Sequence, residues 1–316
     1  MLVHAVVITD RQLAWVERPD PSPGESELLV MVRAAGVNGA DLAQREGVYP
    51  APPGSPADVP GLELAGEVVA VGARVSSFAL GDRVMGLVGG GGQATLAVVD
   101  EAHALPVPDG LSWPEAGGFV EATFTAFDAL FNHCSLASGE RLLITGAGGG
   151  VGTAAVQLGA VAGAEVTAAV RDRSLWAAIE ELGAARVVSP DEAAAHGPYD
   201  VILELVGALS LASTFDALAV HGRVVVIGLS GGGSRLELDL HQLMGQRAQL
   251  RGSTLRVRSR AEKAALTATI GRRVLPLLAA GRVRVHVCAT FPLAEADAAY
   301  ERFARPGKLG KIVLVA

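Results

Sequence analysis

The run Leu142-Leu143-Ile144-Thr145-Gly146-Ala147-Gly148-Gly149-Gly150-Val151-Gly152 feeds an apolar strand pattern into a glycine-dense turn, and Thr153–Leu158 then read as helix. A turn stripped of side chains lets backbone N–H groups reach a bound anion. The helix start adds the positive end of its dipole. Residue type and order therefore point to a pyrophosphate, cradled by Gly146, Gly149, Gly150, Val151 and Gly152. The glycines at 146, 149 and 152 read G-x-x-G-x-x-G rather than the commoner G-x-G-x-x-G. By itself that spacing also suits a flexible turn, so the context decides. A second strand pattern, Glu165–Val170, begins about nineteen residues after Gly146 and ends in Arg171-Asp172-Arg173, where a ribose would lie in a strand–helix–strand unit.

Selection of NAD usually uses an acidic side chain at the end of that second strand. Val170 holds the place here, and Arg171 and Arg173 follow at once. A guanidinium suits a 2′-phosphate, so the expected cofactor is NADPH. The alternative is that both arginines are solvated and Asp172 binds the ribose of NAD. Gly207, Gly228 and Leu229 fall in loops after later strands, at the carboxyl edge where nucleotides bind.

The rest of the composition narrows the class. The chain has 316 residues, half of them apolar, enough for a large core and two domains. Its net charge of −7 and lack of a basic block argue against a nucleic-acid surface. Cys134 and Cys288 offer neither a disulfide framework nor a C-x-x-C pair, which fits free thiols in the cytoplasm. Met1–His4 does not begin a basic, then apolar, signal pattern. Residues 142–164 are uncharged and long enough to span a membrane, but Gly146–Gly152 would break such a helix early. A strand buried on both faces followed by a buried helix gives the same hydropathy, so no membrane contact is expected. The seven histidines are dispersed, and none pairs with a Ser or Cys in a recognisable hydrolase motif, which argues against hydrolase chemistry.

The elements that must position these residues fall into two styles. The first third reads as strands, Leu28–Ala34, Glu67–Gly72 and Gly92–Val99, with a proline-rich loop at 50–60. From about residue 120 helix and strand alternate, with strands expected at 141–145, 165–170, 186–189, 200–204, 223–228 and 249–252. Helical patterns such as Leu175–Leu182 and Leu209–Leu218 lie between them, and a further helix is expected near 261–280. Six strands with alternating helices predict an α/β, doubly wound parallel sheet. After that helix, Val283–Phe291 and Lys311–Val315 return to strand. The expected division is a β-rich domain of 1–119 plus 284–316, interrupted by a nucleotide-binding domain of 120–283.

Further motifs lie along the chain: Ala35-Gly36-Val37-Asn38-Gly39-Ala40-Asp41, Arg45-Glu46-Gly47-Val48-Tyr49-Pro50, Gly61-Leu62-Glu63-Leu64-Ala65-Gly66-Glu67-Val68 and Gly81-Asp82-Arg83-Val84. Thr125-Ala126-Phe127, the glycine turn, Gly222–Gly228 and Gly310–Leu314 follow in order. With these motifs the chain resembles, nearly end to end, the zinc-free quinone oxidoreductase (zeta-crystallin-like) branch of the medium-chain dehydrogenase/reductase superfamily. The resemblance implies a Rossmann domain inserted in a partly open, barrel-like (GroES-like) catalytic domain, and a homodimer.

The zinc-ligand Cys and His of alcohol dehydrogenases in this superfamily correspond to Asn38 and Leu62. Zinc needs thiolate, imidazole or carboxylate donors, so no catalytic metal is expected. The resemblance makes Tyr49 the candidate hydrogen-bond or proton donor, against a tyrosine that merely packs the proline loop. Asn38 is a candidate amide donor to the nicotinamide ribose or substrate, against an Asx-type turn before Asp41. Thr125 is a candidate ribose or carboxamide partner, against a helix-start hydroxyl. Lys311 corresponds to a basic group near the pyrophosphate, against a surface strand end, and Leu255 to a loop packed on the nicotinamide. Glu63 is read as a structural carboxylate. Gln93 stands where relatives often have tyrosine, Leu175 where they often have lysine, and Pro190 where a tyrosine is common.

The leading expectation is an NADPH-dependent quinone or α,β-unsaturated ketone reductase. An enoyl-thioester reductase is the enzymatic alternative, with Arg251, Arg256, Arg258 and Arg260 either a basic rim for a phosphopantetheine or a solvated loop. A non-catalytic NADPH-binding sensor or structural protein is the alternative of another class.

Overall fold

The computed structural model describes residues 3–229, 231 and 233–316. Met1 and Leu2 of the N-terminal reading, and Gly232 of the glycine cluster 231–233, lie outside the described residues. The chain opens with β1 (Val3–Thr9), β2 (Gln12–Arg18), β3 (Glu27–Val37), α1 (Gly39–Arg45), β4 (Glu63–Val71), β5 (Arg83–Leu87), β6 (Leu96–Asp100) and β7 (Ala104–Pro106). Two helices follow, α2 (Trp113–Gly117) and α3 (Val120–Phe127). Then come β8 (Arg141–Thr145), α4 (Gly150–Val161), β9 (Glu165–Ala169), α5 (Trp176–Glu181), β10 (Arg186–Val188), β11 (Tyr199–Glu204), α6 (Ala208–Thr214), β12 (Leu218–Val226), α7 (Leu240–Gln246) and β13 (Gln249–Gly252). The remainder is α8 (Arg260–Arg273), α9 (Leu275–Ala279), β14 (Val287–Pro292), α10 (Ala296–Ala304) and β15 (Lys311–Val315).

Contacts divide the chain into a first unit, residues up to Phe124 with Leu255–Ala316, and a second, Thr125–Thr254. The chain therefore rejoins the first unit at Leu255, ahead of the expected 284. The cause is α8, which buries Lys263, Leu266, Thr267 and Ile270. Its first carbonyl, Arg260 O, is 3.0 Å from His103 Nε2. The expected single helix near 261–280 is two, because Pro276 lacks the N–H that continuation would require.

In the first unit, β3 organises a seven-stranded sheet in the order β14-β15-β3-β4-β5-β7, with β6 also paired to β3. The second edge of β3 is shared: Glu27–Met31 pair with β6 and Ala34–Val37 pair with β15. Alternate residues of β3, Leu28, Val30 and Val32, point into a core with Leu64, Val68, Val84 and Val99. The period of two in burial along β3 is what the apolar run Leu28–Ala34 predicts.

The second unit is the doubly wound sheet. Its six strands are all parallel, in the order β10-β9-β8-β11-β12-β13. The chain reverses direction across the sheet between β8 and β11, so nucleotide chemistry belongs at their carboxyl ends. No helix among the described residues is long and apolar enough to cross a membrane.

Candidate functional site

In the second unit β8 ends at Thr145, and Gly146 turns the chain with φ +62°. The N-cap of α4 is Gly149, which supplies no capping side chain. The first internal helical bond is Thr153 N–H to Gly149 O at 2.9 Å. The N–H groups of Gly150, Val151 and Gly152 precede it and so have no intrahelical acceptor. A Cβ at Gly152 would lie 2.5 Å from Ala147 O, which is why the helix can sit so close to the turn. This cradle, with donors aimed out and no side chain in the way, fits the pyrophosphate of a dinucleotide. Gly207 caps α6, and its N–H and that of Val206 donate to Glu204 Oε1 at 2.8 and 2.6 Å. Glu204, fully buried, is a residue that the sequence reading missed. Gly228 leaves 2.3 Å between a would-be Cβ and Leu205 O, and Leu229 is exposed.

At the end of β9, Asp172 turns onto its own chain. Its Oδ1 accepts from Ser174 N at 3.0 Å and from Ser174 Oγ at 2.7 Å. Those bonds, the hydroxyl first, hold its carboxyl below the usual range. Arg171 and Arg173 are exposed, and the Arg173 guanidinium lies 5.1 Å from the centre of the Trp176 ring.

The first unit encloses a network of buried polar groups. Glu63, on β4, is fully buried, and its Oε1 accepts from Lys311 Nζ at 2.6 Å and Asn38 Nδ2 at 2.9 Å. Its Oε2 accepts from the backbone N–H of Glu121 at 2.8 Å. Gly36 makes the room, since a Cβ there would fall 2.2 Å from Glu63 Oε1. Lys311 Nζ also donates to Asn38 Oδ1 at 2.5 Å and Val37 O at 3.2 Å. Lys311 is a buried cation rather than a surface strand end, because β15 pairs with β3 and sets it beside Glu63 and Asn38. Asn38 also serves as the N-cap of α1, where its backbone N–H donates to Asp41 Oδ2 at 2.8 Å. The other Asp41 oxygen accepts from Gly61 N at 2.9 Å. Burial pushes the Asp41 carboxyl up to about 6, against the pull of those two bonds.

Beside this network stands Tyr49, half-buried, with the Arg256 guanidinium 5.5 Å from its ring centre. Among the described residues its hydroxyl has no hydrogen-bond partner. Burial first, then the Glu121 carboxyl, raise its pKa, so it holds its proton at neutral pH. Arg256 donates to Gly89 O, Tyr49 O and Gln44 Oε1 at 2.8, 3.0 and 2.6 Å, and Lys263 Nζ donates to Arg256 O at 2.7 Å. Three of the four arginines read as either a basic rim or a solvated loop have partners within the protein. Arg256 is buried, Arg260 pairs with Asp100, and Arg251 bonds His133 O and Gln249 Oε1. Gln93 is fully buried, accepting from the Tyr300 hydroxyl at 2.9 Å while its Nε2 has no partner among the described residues. Leu255 is buried in the first unit, and Thr125 lies on α3 one turn beyond Glu121.

A cavity of about 570 Å³ in the first unit is walled by Ser55, Pro56, Val59, Gly89, Gly91 and Lys263 among others. Ser55, Pro56 and Val59 belong to the proline-rich loop at 50–60, and Lys263 to α8. The cavity touches the Arg256 network through Gly89 and Lys263, but Tyr49 and Asn38 do not line it.

Residues 24–109 match the alcohol dehydrogenase GroES-like domain, and residues 150–269 match the zinc-binding dehydrogenase family. A chloroplastic quinone oxidoreductase QR1 of Triphysaria versicolor is 31% identical over 96% of this chain and 93% of its own. The quinone oxidoreductase of Sus scrofa is 30% identical over 93% and 91%. A polyketide synthase of Streptomyces halstedii, GfsB, is 40% identical over 50% of this chain but only 3% of its own length. A solved alcohol dehydrogenase from Pyrobaculum aerophilum superposes over 100% of both chains with a TM-score of 0.86 at 28% identity. With its GroES-like and parallel-sheet units, the chain belongs to the quinone oxidoreductase family of the medium-chain dehydrogenases/reductases, oxidoreductases that use a nicotinamide cofactor.

Proposed function

We propose that the protein reduces a quinone or α,β-unsaturated ketone with NADPH and without zinc. The observation that carries this reading is Tyr49, a protonated phenol with a free hydroxyl, beside a buried arginine. When bound, the cofactor supplies a hydride, and the acceptor oxygen then gathers negative charge. A Tyr49 O–H at that oxygen can donate a hydrogen bond and then its proton. The Arg256 guanidinium fixes the Tyr49 backbone and favours phenolate as the proton leaves.

The preference for NADPH rests on Arg171 and Arg173, exposed at the ribose end of β9, and on Asp172 being occupied by Ser174. Zinc independence rests on the donors. Leu62 offers none, and the Asn38 amide is held between Glu63 and the Lys311 ammonium. A second cation there would meet an ammonium rather than a thiolate. Among the described residues no three His, Cys, Asp or Glu side chains converge as a metal-binding set. A cytoplasmic homodimer is the assembly we propose, with the open edge of β13 as its support.

Enoyl-thioester reduction is the second reading, favoured by the match to the polyketide synthase. The commitment of Arg256 and Arg260 to other partners counts against it. The test is oxidation of NADPH and NADH, followed at 340 nm, against quinones, enones and enoyl thioesters. Turnover of quinones or enones with NADPH is expected. Turnover of thioesters alone would establish the second reading. Stoichiometric zinc in the active protein would overturn the metal-free mechanism.

A further inference from the structure

We propose that the cavity of the first unit is a second binding site, shaped for an apolar molecule that ends in a carboxylate.

The cavity holds about 570 Å³, and spaces of about 300–1,000 Å³ enclose small organic ligands. Its walls come from the first unit alone, and neither Tyr49 nor Asn38 lines it. One part of the wall is apolar: Val3 and Ala5 of β1, Val59, Leu87 of β5, and Leu96 and Ala97 of β6. These side chains offer a polar ligand no hydrogen bond, so the body of the occupant is apolar.

Another part carries donors without acceptors. Among the described residues the N–H groups of Gly89 and Gly90 have no acceptor, and the Ser55 hydroxyl has no partner. The three stand together. A Cβ on Gly89 would fall 2.2 Å from Ser55 Oγ, and one on Gly90 would fall 3.6 Å from Ser55 Cβ. Gly90 is buried, and a buried N–H is rarely left open unless water or a ligand completes it. The peptide plane gives its direction. Gly89 O accepts from Arg256 Nε at 2.8 Å, and the Gly89–Gly90 bond is trans, so the Gly90 N–H points away from the guanidinium.

Charge selects the head group. Most charged residues of the wall are matched: Arg18 pairs with Asp58, Arg260 pairs with Asp100, and Glu27 accepts from Gly24 N at 2.7 Å. His103 Nε2 lies 3.0 Å from Arg260 O. Lys263 differs. It is buried, its Nζ donates to Arg256 O at 2.7 Å, and no carboxylate among the described residues is within ion-pairing distance. Burial lowers its pKa, while the more distant Glu121 charge raises it. An ammonium has three donors, so two remain for a ligand. A carboxylate accepts from several donors at once and carries the one charge that Lys263 leaves unmatched. A phosphate dianion would exceed that charge and face Glu27, Asp58 and Asp100.

The same peptide joins the cavity to Tyr49. A carboxylate on the Gly90 N–H makes Gly89 O a stronger acceptor for Arg256, which in turn donates to Tyr49 O at 3.0 Å. Binding itself is independent of which acceptor the protein reduces, and it is measured without turnover.

Calorimetric titration of the full-length protein, with and without NADPH, compares octanoate with octanamide and inorganic phosphate. Octanoate should bind about tenfold or more tighter than either. Ser55→Ala should weaken octanoate by about three- to tenfold and Lys263→Gln by about tenfold, with octanamide unaffected. Lys263→Arg should keep most of the affinity, and Tyr49→Phe all of it. In ¹⁵N spectra the Gly90 N–H and Arg256 Nε–H signals should move together as octanoate is added. Equal binding of octanoate and octanamide, or tighter binding of phosphate, would overturn the proposal. So would octanoate that binds the Ser55 and Lys263 variants as it binds the wild type, or a Gly90 signal unmoved at saturation. Loss of octanoate binding in Tyr49→Phe would place the molecule at Tyr49 instead and overturn the second site.

Discussion

Tyr49→Phe removes one oxygen that no other group among the described residues bonds. The fold should be indifferent, NADPH affinity unchanged, and kcat lower by roughly ten- to a hundredfold. Equal turnover would take Tyr49 out of the mechanism. Lys311→Met is the opposite case. The proposed mechanism gives the ammonium no step, but its loss strands the fully buried Glu63 charge. A cost of about 3–5 kcal/mol in denaturant unfolding is expected. Glu121 and Asp41 set a pH dependence of known sign. Their protons are held more tightly folded than free, with values of about 8 against 4.5 and about 6 against 3.8. That stabilisation is complete below the free values and drains as pH rises through the folded ones. Glu121→Gln should therefore gain on the wild type between pH 5 and pH 9, by roughly 1–4 kcal/mol in chemical denaturation. A gap that stays constant with pH would contradict the buried acid.

At the scale of elements, the strand–turn–helix of β8 and α4 was legible because everything that defines it lies within eleven consecutive residues, Leu142–Gly152. Its glycines are read from local sterics alone. Gly152→Ala sets a Cβ 2.5 Å from Ala147 O, so the turn must shift. NADPH affinity should fall by tenfold or more, read by fluorescence titration, with a stability loss of about 1–3 kcal/mol. The proposed preference for NADPH places cofactor choice in the segment after β9. Replacing Arg171 and Arg173 by alanine should lower the NADPH/NADH ratio of kcat/KM by roughly ten- to a hundredfold, the worth of one or two charge-assisted bonds. An unchanged ratio would return the ribose to Asp172. What the sequence hid is equally specific. Arg256 reads as part of a polar loop and becomes buried only because Gln44, Tyr49 and Gly89 meet it from more than 160 residues away. Lys311 reads as a basic group near a pyrophosphate or as a strand end, and only the pairing of β15 with β3 reveals its partners.

For the whole molecule, alternation of strand and helix was enough to name the parallel sheet, since each parallel pair needs a crossover. The border of the two units was not, because α8 has a weakly amphipathic sequence that says little about which sheet it covers. The edge strand β13 is exposed along all four residues, including Leu250. Leu250→Lys should shift a dimer toward monomer in analytical ultracentrifugation, with unfolding unchanged. A dimer as tight as before would move the interface elsewhere.

The shared edge of β3 also bears on the order in which the protein is made. Thr125–Thr254 is one continuous stretch and can fold as soon as it leaves the ribosome. The first unit cannot: Ala34–Val37 wait for Ile312–Val315, and Glu63 waits for its lysine, until nearly the whole chain has been translated. During that interval an unpaired strand edge and a buried-site carboxylate without its cation are open to water and to other chains. Contacts so distant in sequence also close slowly. The segment up to Phe124 is thus the part of this protein most in need of a chaperone.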